Sequence, residues 1–213
     1  MFSLILAGVI GYFIGSVPTA YLVVRWKSKV DIRQAGSGNV GTLNSFQVTK
    51  SKLVGVAVLV IDLMKGAMAV VLARALIGAD FSFAAFAGIG SVIGHNFPVW
   101  LRFKGGRGLA TAAGVMLVLA WIVVALWGLF WGVGFLASRK VNIGNAVASL
   151  LTLLFGVIAP ASTLHSIFTA EADTMQYRYF MAVLLAFILL KHVGPVREYV
   201  REKIRGTHNP GDR

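Results

Sequence analysis

Three cations, Arg102, Lys104 and Arg107, lie close together and are woven through Gly105, Gly106 and Gly108. Glycines let backbone N–H groups close around an anion, and the cations neutralise it. A helix beginning at Leu109 would add the positive end of its dipole. The chemistry this pattern suits is phosphate binding. A long, nearly uncharged apolar stretch ends just before the cluster and another follows it, so the phosphate site would lie where a membrane span meets water.

A second polar stretch, Ala35 to Gln47, places Ser37, Asn39, Thr42 and Asn44 among Gly36, Gly38 and Gly41. Its N–H groups and hydroxyls could face an anion, or it could be a polar turn joining two spans. Asp62 and Lys65 fall one helical turn apart inside an apolar run, where they can neutralise each other. Charge within a membrane is expensive, so both should face the bundle interior or a wet cavity. Either they pin helices together or they touch a ligand. His95, beside Asn96, has a side chain that titrates near neutrality. It suits a proton acceptor or a cap on the third span.

The elements that position these groups follow from composition. The chain has 213 residues, of which 57% are hydrophobic and only 13% charged, and its mean hydropathy is +0.79. This marks an all-α polytopic membrane protein. Twenty Lys and Arg against eight Asp and Glu give a net charge of +12. In a soluble chain that would suggest nucleic acid; here it fits basic cytoplasmic loops and anionic lipid, with no nucleic-acid partner. Cysteine is absent, which excludes disulfides and thiolate chemistry. No repeat or linker is visible, so residues 1–213 read as one domain.

The first span, Phe2 to Val24, carries Gly8, Gly11 and Gly15 on a face suited to close packing, and Pro18 near its end. It reads as a retained span, not a signal peptide. Further spans are expected over Lys52–Gly78, Phe81–Pro98, Ile143–Phe168 and Tyr177–Leu190. The basic loop from Arg25 marks the cytoplasmic side, so the N-terminus faces outward. Placing the basic tail from Lys191 on that side as well requires an odd number of crossings. Splitting the apolar stretch Leu109–Ala137 into two short antiparallel segments gives about seven transmembrane helices, with the glycine-rich loops in the cytoplasm. Polar residues concentrated on one face favour an interfacial enzyme over a transporter. His165 reads as structural, and Trp100, Trp121, Trp127 and Trp131 as interfacial anchors or packing.

Three segments now stand in order: Gly36-Ser-Gly-Asn-Val-Gly41, Asp62-Leu-Met-Lys-Gly66, and Gly94-His-Asn-Phe-Pro-Val-Trp-Leu-Arg-Phe-Lys-Gly-Gly-Arg-Gly-Leu-Ala110. Together they closely resemble the bacterial acyl-phosphate-dependent glycerol-3-phosphate acyltransferases. The likeness is strong over most of residues 1–115 and rests on hydropathy beyond. It implies transfer of an acyl chain from acyl phosphate to sn-glycerol 3-phosphate, giving lysophosphatidic acid and phosphate for phospholipid synthesis. It also implies a bacterial inner-membrane protein with seven spans and an outward N-terminus, and a functional link to an enzyme that makes acyl phosphate. Ser37, Gly38 and Asn39 match the family's acyl-phosphate loop. Lys104, Gly105, Gly106, Arg107 and Gly108 match the glycerol 3-phosphate motif, and His192 matches the histidine of a third.

The chain departs from that pattern at Leu43, Gln47, Pro195 and His208, where the family carries Thr, Arg, Asn and Glu; Lys50 and Lys52 are nearby cations that could stand in at the Gln47 position. An acyl phosphate is already activated, so the acceptor hydroxyl needs positioning and modest deprotonation. Arg102, Lys104 and Arg107 would neutralise two anionic substrates, while Ser37, Asn44 and the backbone around Gly38 and Gly41 hold the leaving phosphate. No covalent acyl-enzyme is expected, since there is no cysteine and no Ser-His-Asp arrangement. The leaving phosphate, His95 or His192 would accept the proton, and no metal, nucleotide or other cofactor is implied. Two other readings stand beside this one: a transferase that uses acyl phosphate with another acceptor, and a non-catalytic membrane protein that binds lipid or phosphate. The acyl chain would lie in an apolar groove among the spans.

Overall fold

Glycines at one-turn spacing on the first helix bring two backbones almost into contact. The computed structural model of the protein describes residues 1–206, which leaves His208 outside the described residues. Helix α1 (Phe2–Ser16) ends at Val17-Pro18, and α2 (Thr19–Ser28) continues the chain. Proline has no N–H to donate and bars the helical conformation for the residue before it, so the expected first span is broken there. A 3-10 turn at Ile32–Gln34 leads into the first glycine-rich loop. Residues Thr42–Thr49, expected as loop, instead form helix α3.

Helix α4 (Lys52–Leu76) is the longest uninterrupted apolar helix of the N-terminal half, and Ser51 caps it by accepting a hydrogen bond from the Val54 N–H. Helix α5 (Phe81–Asn96) returns and is followed by a 3-10 turn at Val99–Leu101. The expected division of the stretch after Gly108 is present: α6 (Leu109–Leu119) and α7 (Trp121–Ser138) separate at Ala120, whose φ of −162° and ψ of 69° leave the helical region. At about 1.5 Å per residue, α6 is only about 16 Å long. Its C-terminal carbonyls are met by Thr169, which donates its N–H to Leu119 O (2.8 Å) and its hydroxyl to Val118 O (2.8 Å).

Helix α8 (Val141–Ile158) is shorter than the span expected there, because Pro160 starts a separate helix α9 (Ala161–Ile167). Helix α10 (Thr174–Gly206) runs through Pro195 well beyond Leu190, where the last span was expected to end. Among the described residues, five helical stretches are long and apolar enough to cross a membrane: Phe2–Ser28, Lys52–Leu76, Trp121–Ser138, Val141–Ile158 and Thr174–Arg205. The apolar helices α5 and α6 are shorter. No strand occurs among the described residues.

Two seams fix the N-terminal half. Helix α1 lies against α5 so closely that a Cβ on Gly11 would fall 2.0 Å from Ala87 O, and one on Gly94 2.1 Å from Tyr12 O. Helices α4 and α6 meet in the same way at Gly66 against Thr111 O and Gly114 against Leu63 O. Small residues at helix interfaces permit this approach and its dense van der Waals contact. The main apolar core joins α5 and α6 to α10 through Phe81, Val115, Leu119, Phe168, Tyr177, Phe180 and Leu184.

Candidate functional site

The fold brings the two glycine-rich loops to the same end of the bundle. In the first, Asn44 is the hub. Its Oδ1 accepts the Ser37 N–H (2.9 Å), and its Nδ2 donates to Ile32 O (3.2 Å), Ala35 O (3.0 Å) and Asn39 O (3.0 Å). Asn44, expected to hold substrate, is buried and spends its carboxamide on shaping the loop. The Gly38 N–H donates to Ala35 O and the Gly41 N–H to Asn39 O. Backbone groups expected to cradle phosphate are therefore engaged within the loop, since a folded segment satisfies its own polar backbone where water is scarce. Ser37 is exposed. At the loop's entry Asp31 pairs with Arg33 at 2.6 Å, and the hydrogen bond from Arg33 holds the Asp31 carboxyl below its ordinary value.

The second loop is anchored just as firmly. The N–H groups of Lys104, Gly105 and Gly106 donate to Leu101 O, Asn96 O and His95 O. Arg102 and Lys104 are exposed. Gly108 caps α6 with φ +81°, and a Cβ there would meet Asn96 Oδ1 at 2.7 Å, so only glycine suits the position. What remains for an anion is the start of α6, whose first N–H groups have no partner within the helix, and the Arg107 side chain. Arg107 Nη1 donates to Asn142 Oδ1 of α8. Burial pulls the Arg107 guanidinium below its ordinary value, and nearby Glu198 opposes the shift. A desolvated cation of this kind is stabilised by an arriving anion.

Helix α10 closes the site from the other side. Lys191 Nζ donates to Asn96 O at the end of α5 (3.1 Å) and sits 4.7 Å from the centre of the Phe97 ring. His192 is 1% exposed, and its Nδ1 is 2.8 Å from Ile188 O. A carbonyl only accepts, so Nδ1 carries the proton and the neutral ring presents a lone pair at Nε2, which has no partner in the fold. Beneath the loops, Lys65 Nζ lies 2.8 Å from Asp62 Oδ1 and donates to Val17 O (3.1 Å), while His95 Nδ1 is 3.7 Å from the same carboxylate oxygen.

Between α4, α6, α7, α8 and α10 lies a cavity of about 810 Å³. One end is polar, with Asn39, Lys52, Asp62, His95, Arg107, Asn142 and Asn145. The rest is mostly apolar and includes Met116, Val123, Trp127, Met181, Leu184 and Ile188, with Thr42 and Thr152 as its polar exceptions. Of the residues expected from sequence, Asn39, Gly41, His95, Arg107 and Gly108 line it. Ser37, Gly38, Asn44, Arg102, Lys104, Gly105, Gly106 and His192 do not. Of the two lysines near Gln47, Lys52 reaches the cavity. Trp127 and Trp131, expected as anchors or packing, are wall residues, and Trp127 Nε1 donates to Ser149 Oγ (3.1 Å). Asn142 and Asn145 went unremarked in the sequence. Their signal is a pair of carboxamides one turn apart at the start of an apolar helix. Among the described residues no cluster of three or more His, Asp or Glu forms a metal site.

The chain as a whole is similar to known proteins. The profile of a family described as glycerol-3-phosphate acyltransferase matches residues 5–202. A glycerol-3-phosphate acyltransferase of Myxococcus xanthus is 38% identical over 196 residues, covering 92% of this chain and 95% of the relative. One from Thermotoga petrophila is 35% identical over 150 residues, covering 70% of this chain and 76% of the relative. Two crystal structures of PlsY, an integral membrane glycerol 3-phosphate acyltransferase, also superpose well. Its glycerol 3-phosphate form gives a TM-score of 0.75 at 30% identity, covering 96% of this chain and 93% of PlsY. Its lysophosphatidic acid form gives 0.77 at 28%, covering 94% and 93%. The chain belongs to the integral-membrane glycerol-3-phosphate acyltransferase family.

Proposed function

We propose that the protein transfers an acyl chain from acyl phosphate to sn-glycerol 3-phosphate, releasing lysophosphatidic acid and phosphate at the cytoplasmic face of a bacterial inner membrane. The observation that carries this reading is Arg107 at the start of α6, at the polar end of a chamber that is otherwise mostly apolar. A charged head and an acyl tail match that division. The glycerol 3-phosphate and lysophosphatidic acid forms of PlsY support the choice of acceptor and product.

In this reading Arg107, Lys52 and the α6 N-terminus neutralise the two phosphates, and Asn39, Asn142 and Asn145 supply neutral hydrogen bonds. The exposed Ser37, Arg102 and Lys104 stand at the rim, with the backbone of Gly38, Gly41, Gly105, Gly106 and Gly108 giving the loops their shape. The acceptor oxygen attacks the acyl carbonyl carbon, and the bond from that carbon to the phosphate oxygen breaks. The hydroxyl proton passes to the departing phosphate. With the N-terminus outside, seven crossings place both loops and the α10 tail in the cytoplasm, within reach of an enzyme that makes acyl phosphate.

The test is acyl transfer by the purified protein, given palmitoyl phosphate and labelled glycerol 3-phosphate, with palmitoyl-CoA as donor control. Labelled lysophosphatidic acid from the phosphate donor alone is expected. Consumption of acyl phosphate only with another acceptor would redirect attention to Gln47, which stands where the family has Arg. Absence of any turnover by folded protein would favour a lipid- or phosphate-binding role.

A further inference from the structure

Asp62, Lys65 and His95 are 2%, 6% and 7% exposed. Buried charges on membrane helices are costly, and a pair meant only to lock two helices needs no third titratable side chain. Here the network spans more of the molecule. Lys65, on α4, reaches the Val17 carbonyl at the α1–α2 break, and Asp62 faces His95 on α5. The other edge of the His95 ring meets the second glycine loop. A Cβ on Gly106 would lie 2.1 Å from His95 Nε2 and 2.5 Å from Val40 O. Gly106 is thus enclosed between the imidazole and the end of the first loop, while its own N–H bonds the His95 carbonyl (3.1 Å). Arg107 is the next residue.

We infer that Asp62, Lys65 and His95 are a positioning device that sets where the second loop rests, and through it where Arg107 meets phosphate. The inference rests on the proposed acyl transfer for its substrate. His95 acts through the loop, because its Nε2 edge packs directly against Gly106, and Asp62 faces the ring from the Nδ1 side. This gives the Asp62–Lys65 pair a purpose at the site beyond holding helices, and it separates the two histidines. His192 Nε2 is buried without a partner, whereas the His95 ring is wedged between Asp62 and Gly106.

Steady-state kinetics on the full chain in detergent, varying each substrate, test this with His95→Ala, His95→Gln, Asp62→Asn and the double variant Asp62→Asn/His95→Ala. The expected result is a rise of roughly tenfold or more in KM for glycerol 3-phosphate in His95→Ala and Asp62→Asn, with a much smaller change in kcat. The double variant should be no worse than His95→Ala, and His95→Gln should recover most of the loss by refilling the space beside Gly106. A fall in kcat at unchanged KM, without recovery by Gln, would make His95 an acid–base group and overturn the inference. Multiplying single effects would overturn it too. If these variants do not fold, Gly106→Ala should reproduce the KM effect by displacing the ring, and an unaltered KM would count against the device. If wild type does not turn over, the function reading fails on its own. Calorimetric binding of glycerol 3-phosphate then decides the inference by the same pattern of weakening.

Discussion

The half of the molecule made by α1, α4, α5 and α6 is sealed by repeated backbone-to-backbone contact, whereas α7 approaches α8 closely around Gly134 and Gly144 and leaves most of its own surface open. Along α5, residues from Phe81 to Asn96 are mostly buried. Along α7 only Val123 and Gly134 are, and Gly128 and Gly132 have open space where a Cβ would sit. The chamber lies where the two halves meet. Tight seams hold the loop-bearing ends of α4, α5 and α6 in register, and the looser wall leaves room for an apolar ligand. Glycine therefore plays two parts: close approach along the seams, including Gly134 against Gly144, and open surface at Gly128 and Gly132.

The sharpest way to break that contrast is to enlarge one glycine on each side. Gly94→Leu drives a side chain into the Tyr12 backbone and should cost more than about 4 kcal/mol, seen as loss of monodisperse folded protein. Gly128→Leu, with nothing in its way, should stay within about 0.5 kcal/mol by thermal unfolding. At the junction, Arg107→Ala should lower kcat/KM by about 10²–10³-fold while the unfolding midpoint hardly moves, since the site and not the seam is changed. A large fall in the midpoint instead would show that Arg107 belongs to the scaffold.

A smaller effect is expected from Asn142→Ala on the looser wall. Without its partner, Arg107 loses orientation but keeps its charge, so kcat/KM should fall by about tenfold. The smallest is Asp31→Asn. The folded carboxyl lies below its ordinary value of 3.8 because Arg33 donates to it. Its contribution is therefore present above that ordinary value and lost as pH falls through the lower folded one. Wild type and variant should differ by under about 1 kcal/mol near neutrality and converge in acid, as measured by unfolding across pH.

Much of the candidate site can be read in the chain because a phosphate-binding pattern is compact. Arg107, Gly108 and the start of α6 are contiguous, and their use depends mainly on a helix beginning where it does. The first loop was harder. Ser37, Gly38 and Asn39 look like an anion cradle, yet Asn44 closes the loop on itself with bonds to four different residues. Whether an amide faces a ligand or its own backbone depends on a fold over several residues, which a pattern of glycines does not encode. Asn142 and Asn145 were hidden for a related reason. They lie far along the chain from Arg107, and only the packing of α8 beside α6 brings them together. The interruptions at Pro18 and Pro160 were accessible in principle, because proline removes a helix donor wherever it stands. Pro195 shows the limit of that rule, since α10 carries it without ending.

By itself the sequence determined that the chain is helical and membrane-embedded, that its cations concentrate near two glycine-rich loops, and which family it resembles. These follow from local quantities: apolar run length, charge bias and contiguous motifs. The tertiary structure alone decided that Asp62 faces His95, that His95 supports Gly106, that His192 keeps an unpaired nitrogen, and that an apolar chamber adjoins Arg107. Each of those depends on side chains from distant segments meeting at distances of a few ångströms. Such meetings are set by how closely glycine seams let helices approach, a property of pairs of helices that neither helix carries alone.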